Sequence, residues 1–170
     1  MTETSDRSSA GKWLTTVRRA VLVLAILAGS EMPKAQADIM PLEGRWLTGK
    51  RKVAVTLFRC GGDFCGRMDW MAKPRYRGGE LKIDRENPDP ALRNRPWCGI
   101  EIIAGLRPEA PGVWTDGKLY NPKDGETYNL EIKQRGDGLR VRAYLGVKLL
   151  GKSEDWVRAP DDLPGCGDLS

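Results

Sequence analysis

The chain contains no histidine. Ser-His-Asp and Cys-His nucleophile systems, and metal sites built on imidazole, are therefore excluded. Charge of one sign is never concentrated in a block. Basic and acidic residues alternate along the sequence, and no basic stripe or nucleic-acid-binding motif accompanies them. Long apolar runs are also missing. The one unbroken stretch, Ala20 to Ala28 (AVLVLAILA), is too short to span a bilayer.

That stretch does fit the h-region of an export signal. Arg7, Lys12, Arg18 and Arg19 precede it as a positive n-region, and Ala35-Gln36-Ala37 supplies a small-x-small cleavage pattern. Arg18-Arg19 raises the twin-arginine route, but Val17 precedes the pair and no Phe follows it. Residues 1–37 are read as a signal peptide cleaved after Ala37, with the mature protein, 38–170, in the periplasm as a single domain. Cleavage leaves 23 basic and 20 acidic residues, a net charge of +3, which is only mildly basic.

All four cysteines, Cys60, Cys65, Cys98 and Cys166, fall in the mature part. An even number in an exported protein favours disulfides. Of the three connectivities, Cys60–Cys65 with Cys98–Cys166 is favoured, because Cys60-Gly-Gly-Asp-Phe-Cys65 reads as a hairpin with its cysteines facing each other. Zinc is disfavoured: the spacings are not C-x-x-C and imidazole is lacking. Oxidised cysteines also leave no thiolate nucleophile.

The mature chain is a succession of short strand-like segments. Gly44–Leu47, Lys52–Cys60, Phe64–Met71, Gly99–Leu106, Val113–Tyr120, Thr127–Gln134, Gly138–Tyr144, Val147–Leu150 and Glu154–Arg158 carry apolar alternation or short apolar runs. Arg135-Gly136-Asp137-Gly138 has hairpin chemistry. No helix is expected beyond the leader, apart from a turn near Pro90–Asn94. About eight short strands predict an all-β fold, a small antiparallel up-and-down barrel, since closure removes exposed sheet edges. Gly44-Arg45-Trp46 opens the first strand and Trp156-Val157-Arg158 closes the last. In a closed barrel these are neighbours, which would lay Arg158 over the Trp46 ring. A Gly-x-Trp start with a late arginine resembles lipocalins and related barrels.

Between the third and fourth strands lies a polar segment, Asp84 to Gly99 (DRENPDPALRNRPWCG). Long polar loops on a β scaffold are common places for function. The ordered set Gly-x-Trp, Cys60-x4-Cys65-Gly66-Arg67, Asp84-x-x-Asn87-Pro88-Asp89-Pro90, Arg95-Pro96-x-Cys98-Gly99, Tyr120-Asn121-Pro122-x-x-Gly125-x-x-Tyr128 and Gly151-x4-Trp156-x-Arg158 resembles domain of unknown function 2147, a family of small exported bacterial proteins. The resemblance covers essentially the whole mature chain. It implies a lipocalin-like barrel in the periplasm and no assigned activity. Asn121 stands where the family often has Asp, and Trp97 where an aliphatic residue is common.

Carboxylates are the remaining catalytic resource. Asp84, Glu86 and Asp89 cluster, with Asp69 on a nearby strand, and a glycosidase would need two of them flanking a sugar. As turn formers paired with Arg93 or Arg95 they have a simpler reading, which is preferred. DRENPD is oxygen-rich but lacks the glycine bend and distal glutamate of a calcium loop of the EF-hand type. No metal or cofactor is expected. Arg67, Arg93, Arg95, Arg140 and Arg142 could meet an anionic ligand. Trp70, Trp114, Tyr120, Tyr128 and Tyr144 could line a barrel interior, which at this size is either filled by side chains or holds one small ligand; the sequence slightly favours filling.

Three functions follow. The first is non-catalytic binding of a small apolar or amphipathic ligand, or of an envelope component, with Trp70, Asp84, Asn87, Asp89, Arg95, Trp114, Tyr120 and Tyr128 as candidate contacts. The second is protein–protein interaction through an apolar patch around Pro88, Pro90 and Trp97. The third is a carboxylate hydrolase of envelope glycan. Pro88, Pro90 and Pro96 restrict the backbone of the Asp84–Gly99 segment, so it is expected to act as a stiff, cross-linked flap on the barrel.

Overall fold

The computed structural model describes residues 41–169; the leader expected over residues 1–37 lies outside them. Eight antiparallel strands form a closed barrel in sequence order: β1 (Gly44–Leu47), β2 (Val53–Cys60), β3 (Asp63–Met71), β4 (Glu101–Ala110), β5 (Val113–Asn121), β6 (Glu126–Arg135), β7 (Gly138–Tyr144) and β8 (Lys152–Arg158). β8 returns to β1 with Trp46 opposite Arg158 and Leu47 opposite Val157, so no sheet edge is left open. Short 3-10 turns are the only helical pieces among the described residues.

The connections sort into two ends. Residues 48–52, 72–100, 122–125 and 145–151 emerge at one end, here the mouth; the tight turns 61–62, 111–112 and 136–137 lie at the other, the base. Gly61 and Gly136 take positive φ, 69° and 58°, a conformation tight hairpins require and side chains resist. The Cys60–Cys65 disulfide staples the first of these turns.

The base half is solid. Trp46, Leu57, Phe64, Leu106, Trp114, Ile132 and Leu139 are all buried there in one cluster. Phe64 and Trp114 meet edge to face, with centroids 6.5 Å apart. Two glycines on the inner wall make this density possible. A Cβ at Gly66 would fall 2.8 Å from a Leu57 methyl, and one at Gly117 would fall 2.8 Å from a Leu106 methyl. The guanidinium of Arg158 sits 4.0 Å from the centre of the Trp46 ring. It also donates to the Pro41 and Glu43 carbonyls at 2.6 and 2.7 Å, tying the entry of β1 to the end of β8.

From β8 the tail returns along the outer wall. Arg45 donates to the carbonyls of Leu163 (2.6 Å) and Pro164 (2.9 Å), and Cys166 forms a disulfide with Cys98 in the 72–100 connection.

One segment read as a strand is not one. Val147–Leu150 lies in the connection 145–151 and contains a 3-10 turn, Lys148–Leu150. Gly146 with positive φ turns the chain away after β7. Arg142 then donates to the carbonyls of Lys148 and Leu149, taking acceptors that a strand ladder would have used.

Candidate functional site

The flap is held by hydrogen bonds between its two limbs. Asp84 N–H donates to Arg95 O and Trp97 N–H to Lys82 O, with Ile83 bridged to Pro96. Inside this hairpin the Asp84 side chain is wholly buried, and three donors converge on it. Tyr120 Oη, reaching across from β5, donates to Oδ1 at 2.5 Å. Asn87 Nδ2 donates to Oδ2 at 2.7 Å and Arg95 Nε to the same oxygen at 3.0 Å. Asn87 is a second hub: its amide also donates to Tyr120 Oη at 3.1 Å, its Oδ1 accepts from Asp89 N–H, and its carbonyl accepts from Arg93 Nε. Asp89 caps the short turn Pro90–Leu92 by accepting from Ala91 N–H.

The Asn121–Glu126 turn closes the other side. Gly125 has φ of 75°, and a Cβ there would fall 2.0 Å from the Glu86 carbonyl oxygen, so only glycine lets turn and flap approach this closely. Asp84, Asn87 and Arg95, all candidate ligand contacts, thus spend polar groups on one another and on Tyr120 of β5, and Asp89, a fourth, spends its carboxylate on the turn that follows it.

Burial pushes the Tyr120 hydroxyl up to about 12, helped by its bond to Asp84 and that carboxylate's charge. An ordinary tyrosine titrates near 10. With the folded value above the unfolded one, this proton stabilises the fold below pH ~10, and that contribution is lost as pH rises toward ~12. Tyr120→Phe is expected to flatten the fall in urea stability across this interval. A wild-type slope no steeper than the variant's would contradict the assignment.

Beneath the clamp, the mouth half of the barrel is hollow. A cavity of about 630 Å³ opens at the mouth, within the size range of small-molecule sites. Its floor and walls are Val53, Val55, Met68, Ile102, Leu119, Ala143 and Trp156. Polar groups gather toward the rim: Tyr120, Asn121, Asp124, Tyr128, Tyr144 and Lys152, with Glu154 deeper, where it accepts from the Trp156 indole at 2.6 Å. Asp124 accepts from both Tyr128 Oη (2.9 Å) and Asn121 Nδ2 (2.7 Å). The Tyr128 hydroxyl is pushed up by that bond to Asp124 and, less, by burial.

Of the aromatic residues expected to face inward, Tyr120, Tyr128 and Tyr144 line this cavity. Trp114 belongs to the solid base. Trp70 is turned outward by a bulge: Met68 pairs with Val55 but Trp70 with Ala54, so the extra residue, Asp69, switches the alternation. Nothing in the sequence marks Val55, Met68 and Trp156 as cavity wall, because apolar alternation is the same for a core and a cavity wall.

The carboxylates proposed for catalysis are dispersed. Asp69 pairs with Arg45 at 2.5 Å, Asp84 is enclosed, Asp89 caps a turn, and Glu86 is exposed. No group of three potential metal-ligating carboxylates or cysteines occurs among the described residues. Pro88 and Pro90 are exposed, whereas Trp97 is half-buried, packed in part against the core, with the Lys82 ammonium 5.5 Å from its ring centre.

Residues 44–158 match the family described as an uncharacterized protein conserved in bacteria (DUF2147). No curated protein matches the chain. Among solved structures, the chain is similar to one described as protein HP1028 from the human pathogen Helicobacter pylori, which belongs to the lipocalin family. Their TM-score is 0.63, with 28% identity over 72% of this chain and 86% of that one.

Proposed function

The chain belongs to the DUF2147 family of bacterial proteins, and on that footing we propose that it is a non-catalytic carrier whose hollow half-barrel binds a small amphipathic ligand. One observation carries this reading: the base is packed solid while the mouth half holds an open cavity of about 630 Å³ with an apolar floor and a polar rim. A concave, apolar-floored opening of this size with a few polar groups at its rim is the usual form of a small-molecule site, and the lipocalin description of the similar structure accords with it. The ligand's apolar part lies against Val55, Met68, Leu119 and Trp156. Its polar end meets Asp124, Tyr128 and Lys152 at the rim. No cofactor is needed. Two disulfides, and the absence of any described helix long and apolar enough to cross a membrane, accord with an exported protein working in the periplasm after loss of residues 1–37.

The test is a fluorescence titration with a fluorescent long-chain fatty acid. Wild-type protein is expected to bind saturably. Ala143→Trp, which fills the cavity, displaces at least two methylenes' worth of contact and should weaken binding about tenfold or more with little change in unfolding midpoint. Equal affinity in the two proteins would place the ligand elsewhere and overturn the reading.

A further inference from the structure

The mouth has a second property that a binding cavity does not require. Six large hydrophobic side chains are exposed among the described residues, and four of them, Leu145 (52%), Val147 (63%), Leu149 (85%) and Leu150 (77%), stand in the single connection 145–151. Soluble surfaces seldom expose such a cluster without a partner. The segment is also built to present it. Arg142 holds the carbonyls of Lys148 and Leu149, and Lys148 turns back to pair with the buried carboxylate of Glu131, which Lys133 also contacts at 2.9 Å. Burial pushes Glu131 up, but the hydrogen bonds from the two lysines outweigh it and hold the carboxyl below its usual value. The polar groups of the lip are thus fastened to the wall; Val147 and Leu149 are left outward, and Leu145 and Leu150, though largely exposed, border the cavity opening.

Charge is distributed to match. The four mouth connections contain twelve lysines and arginines against five carboxylates, and with Lys148 and Arg95 set aside as paired to Glu131 and Asp84 the cations remain in excess, whereas the three short base turns contain only Asp137. Three consecutive exposed cations, Lys50, Arg51 and Lys52, lie in the connection 48–52. That connection adjoins the lip's exit into β8, since a Cβ at Gly49 would fall 3.0 Å from the Glu154 Cβ. Apolar side chains flanked by cations at one end of a molecule are the two elements that together hold a protein on an anionic lipid surface.

We propose that the barrel docks mouth-first on an anionic lipid bilayer, with Leu145, Val147, Leu149 and Leu150 entering the headgroup layer and Lys50, Arg51 and Lys52 meeting lipid phosphates. The cavity then opens directly toward the membrane. Docking does not depend on the cavity being occupied, so it stands or falls separately from the ligand reading.

The experiment is cosedimentation of residues 38–170 with vesicles. This piece contains all eight strands and both disulfides, and it removes the apolar leader, which would bind lipid by itself. Vesicles of phosphatidylcholine with an equal share of phosphatidylglycerol should bind the protein, and pure phosphatidylcholine vesicles should bind it at least about tenfold less. Salt at about 0.5 M should weaken the binding, because it screens surface charge within a few ångströms. Val147→Asp with Leu149→Asp, two exposed positions outside the cavity lining, should lower affinity about tenfold or more while leaving the unfolding midpoint and fatty-acid binding in place. Lys50→Glu with Lys52→Glu should do the same.

No binding to either vesicle would overturn the proposal. So would binding that the Val147/Leu149 pair leaves unchanged. Sedimentation equilibrium provides the remaining outcome: a dimer abolished by the same pair, with no vesicle binding, would assign the lip to a second copy of this chain and refute membrane docking.

Discussion

Asp84→Ala is expected to destabilise the protein by about 3 kcal/mol, the low end for removing one partner from a buried ion pair, because Arg95 stays about a third exposed. The carboxylate is inaccessible to solvent and accepts from Tyr120, Asn87 and Arg95. Its removal strips the Asn87 amide and the Tyr120 hydroxyl of their buried acceptor, and each unmet donor adds a desolvation cost, while the Arg95 guanidinium keeps part of its access to solvent. Small domains have a total stability of roughly 5–15 kcal/mol, so the variant should unfold at a much lower urea concentration or fail to accumulate. Asp84→Asn keeps the shape and some hydrogen bonding and should lose less. Asp89→Ala removes only an N-cap and should cost about 1 kcal/mol. Equal midpoints for Asp84→Ala and Asp89→Ala would show that the clamp does not hold the flap as described.

The second large effect concerns the two disulfides, which should differ in weight. Cys98–Cys166 closes a loop with a sequence separation of 68, whereas Cys60–Cys65 spans 5. In the chain-entropy account the long closure stabilises by roughly 4 kcal/mol and the short one by about 2 kcal/mol. Replacing Cys98 and Cys166 with serine should therefore lower urea stability about twice as much as replacing Cys60 and Cys65. The longer bridge also joins the flap to the returning tail, so its loss should raise hydrogen exchange at Asp84, Asn87 and Trp97 amides. The hairpin pair should leave those amides protected. The reverse order of stabilities would show that the tail contributes nothing to holding the flap.

Much of this architecture was legible in the sequence because it is written in short-range chemistry. Strand alternation, glycine turns and the Cys60–Cys65 hairpin are local signals. The meeting of Trp46 with Arg158 follows from closing a ring of strands. What remained hidden depends on three-dimensional register. A single extra residue at Asp69 turns Trp70 out of the interior, and nothing in its own side chain announces this. Trp114 and Tyr120 lie on the same strand, yet one fills the base and the other borders the cavity. Height along the barrel, which apolar alternation does not encode, separates them. Val147–Leu150 reads as an apolar strand and is a lip, because Gly146 and Arg142 take the backbone out of the ladder. The polar cluster at Asp84 has the residue types of a catalytic or binding site, yet its groups are paired with one another. It is a structural clamp, and the space it helps to frame is the candidate site.

The central claim is that a ligand occupies the mouth half of the barrel and not its base. It is tested most directly by nuclear magnetic resonance, as intermolecular nuclear Overhauser effects between a long-chain fatty acid and methyl-labelled protein. The account predicts contacts from the acyl chain to methyls of Val55, Met68, Ile102 and Leu119, and none to Leu57, Leu106, Ile132 or Leu139. Contacts to the second set, or contacts confined to the outer surface of the flap, would contradict it.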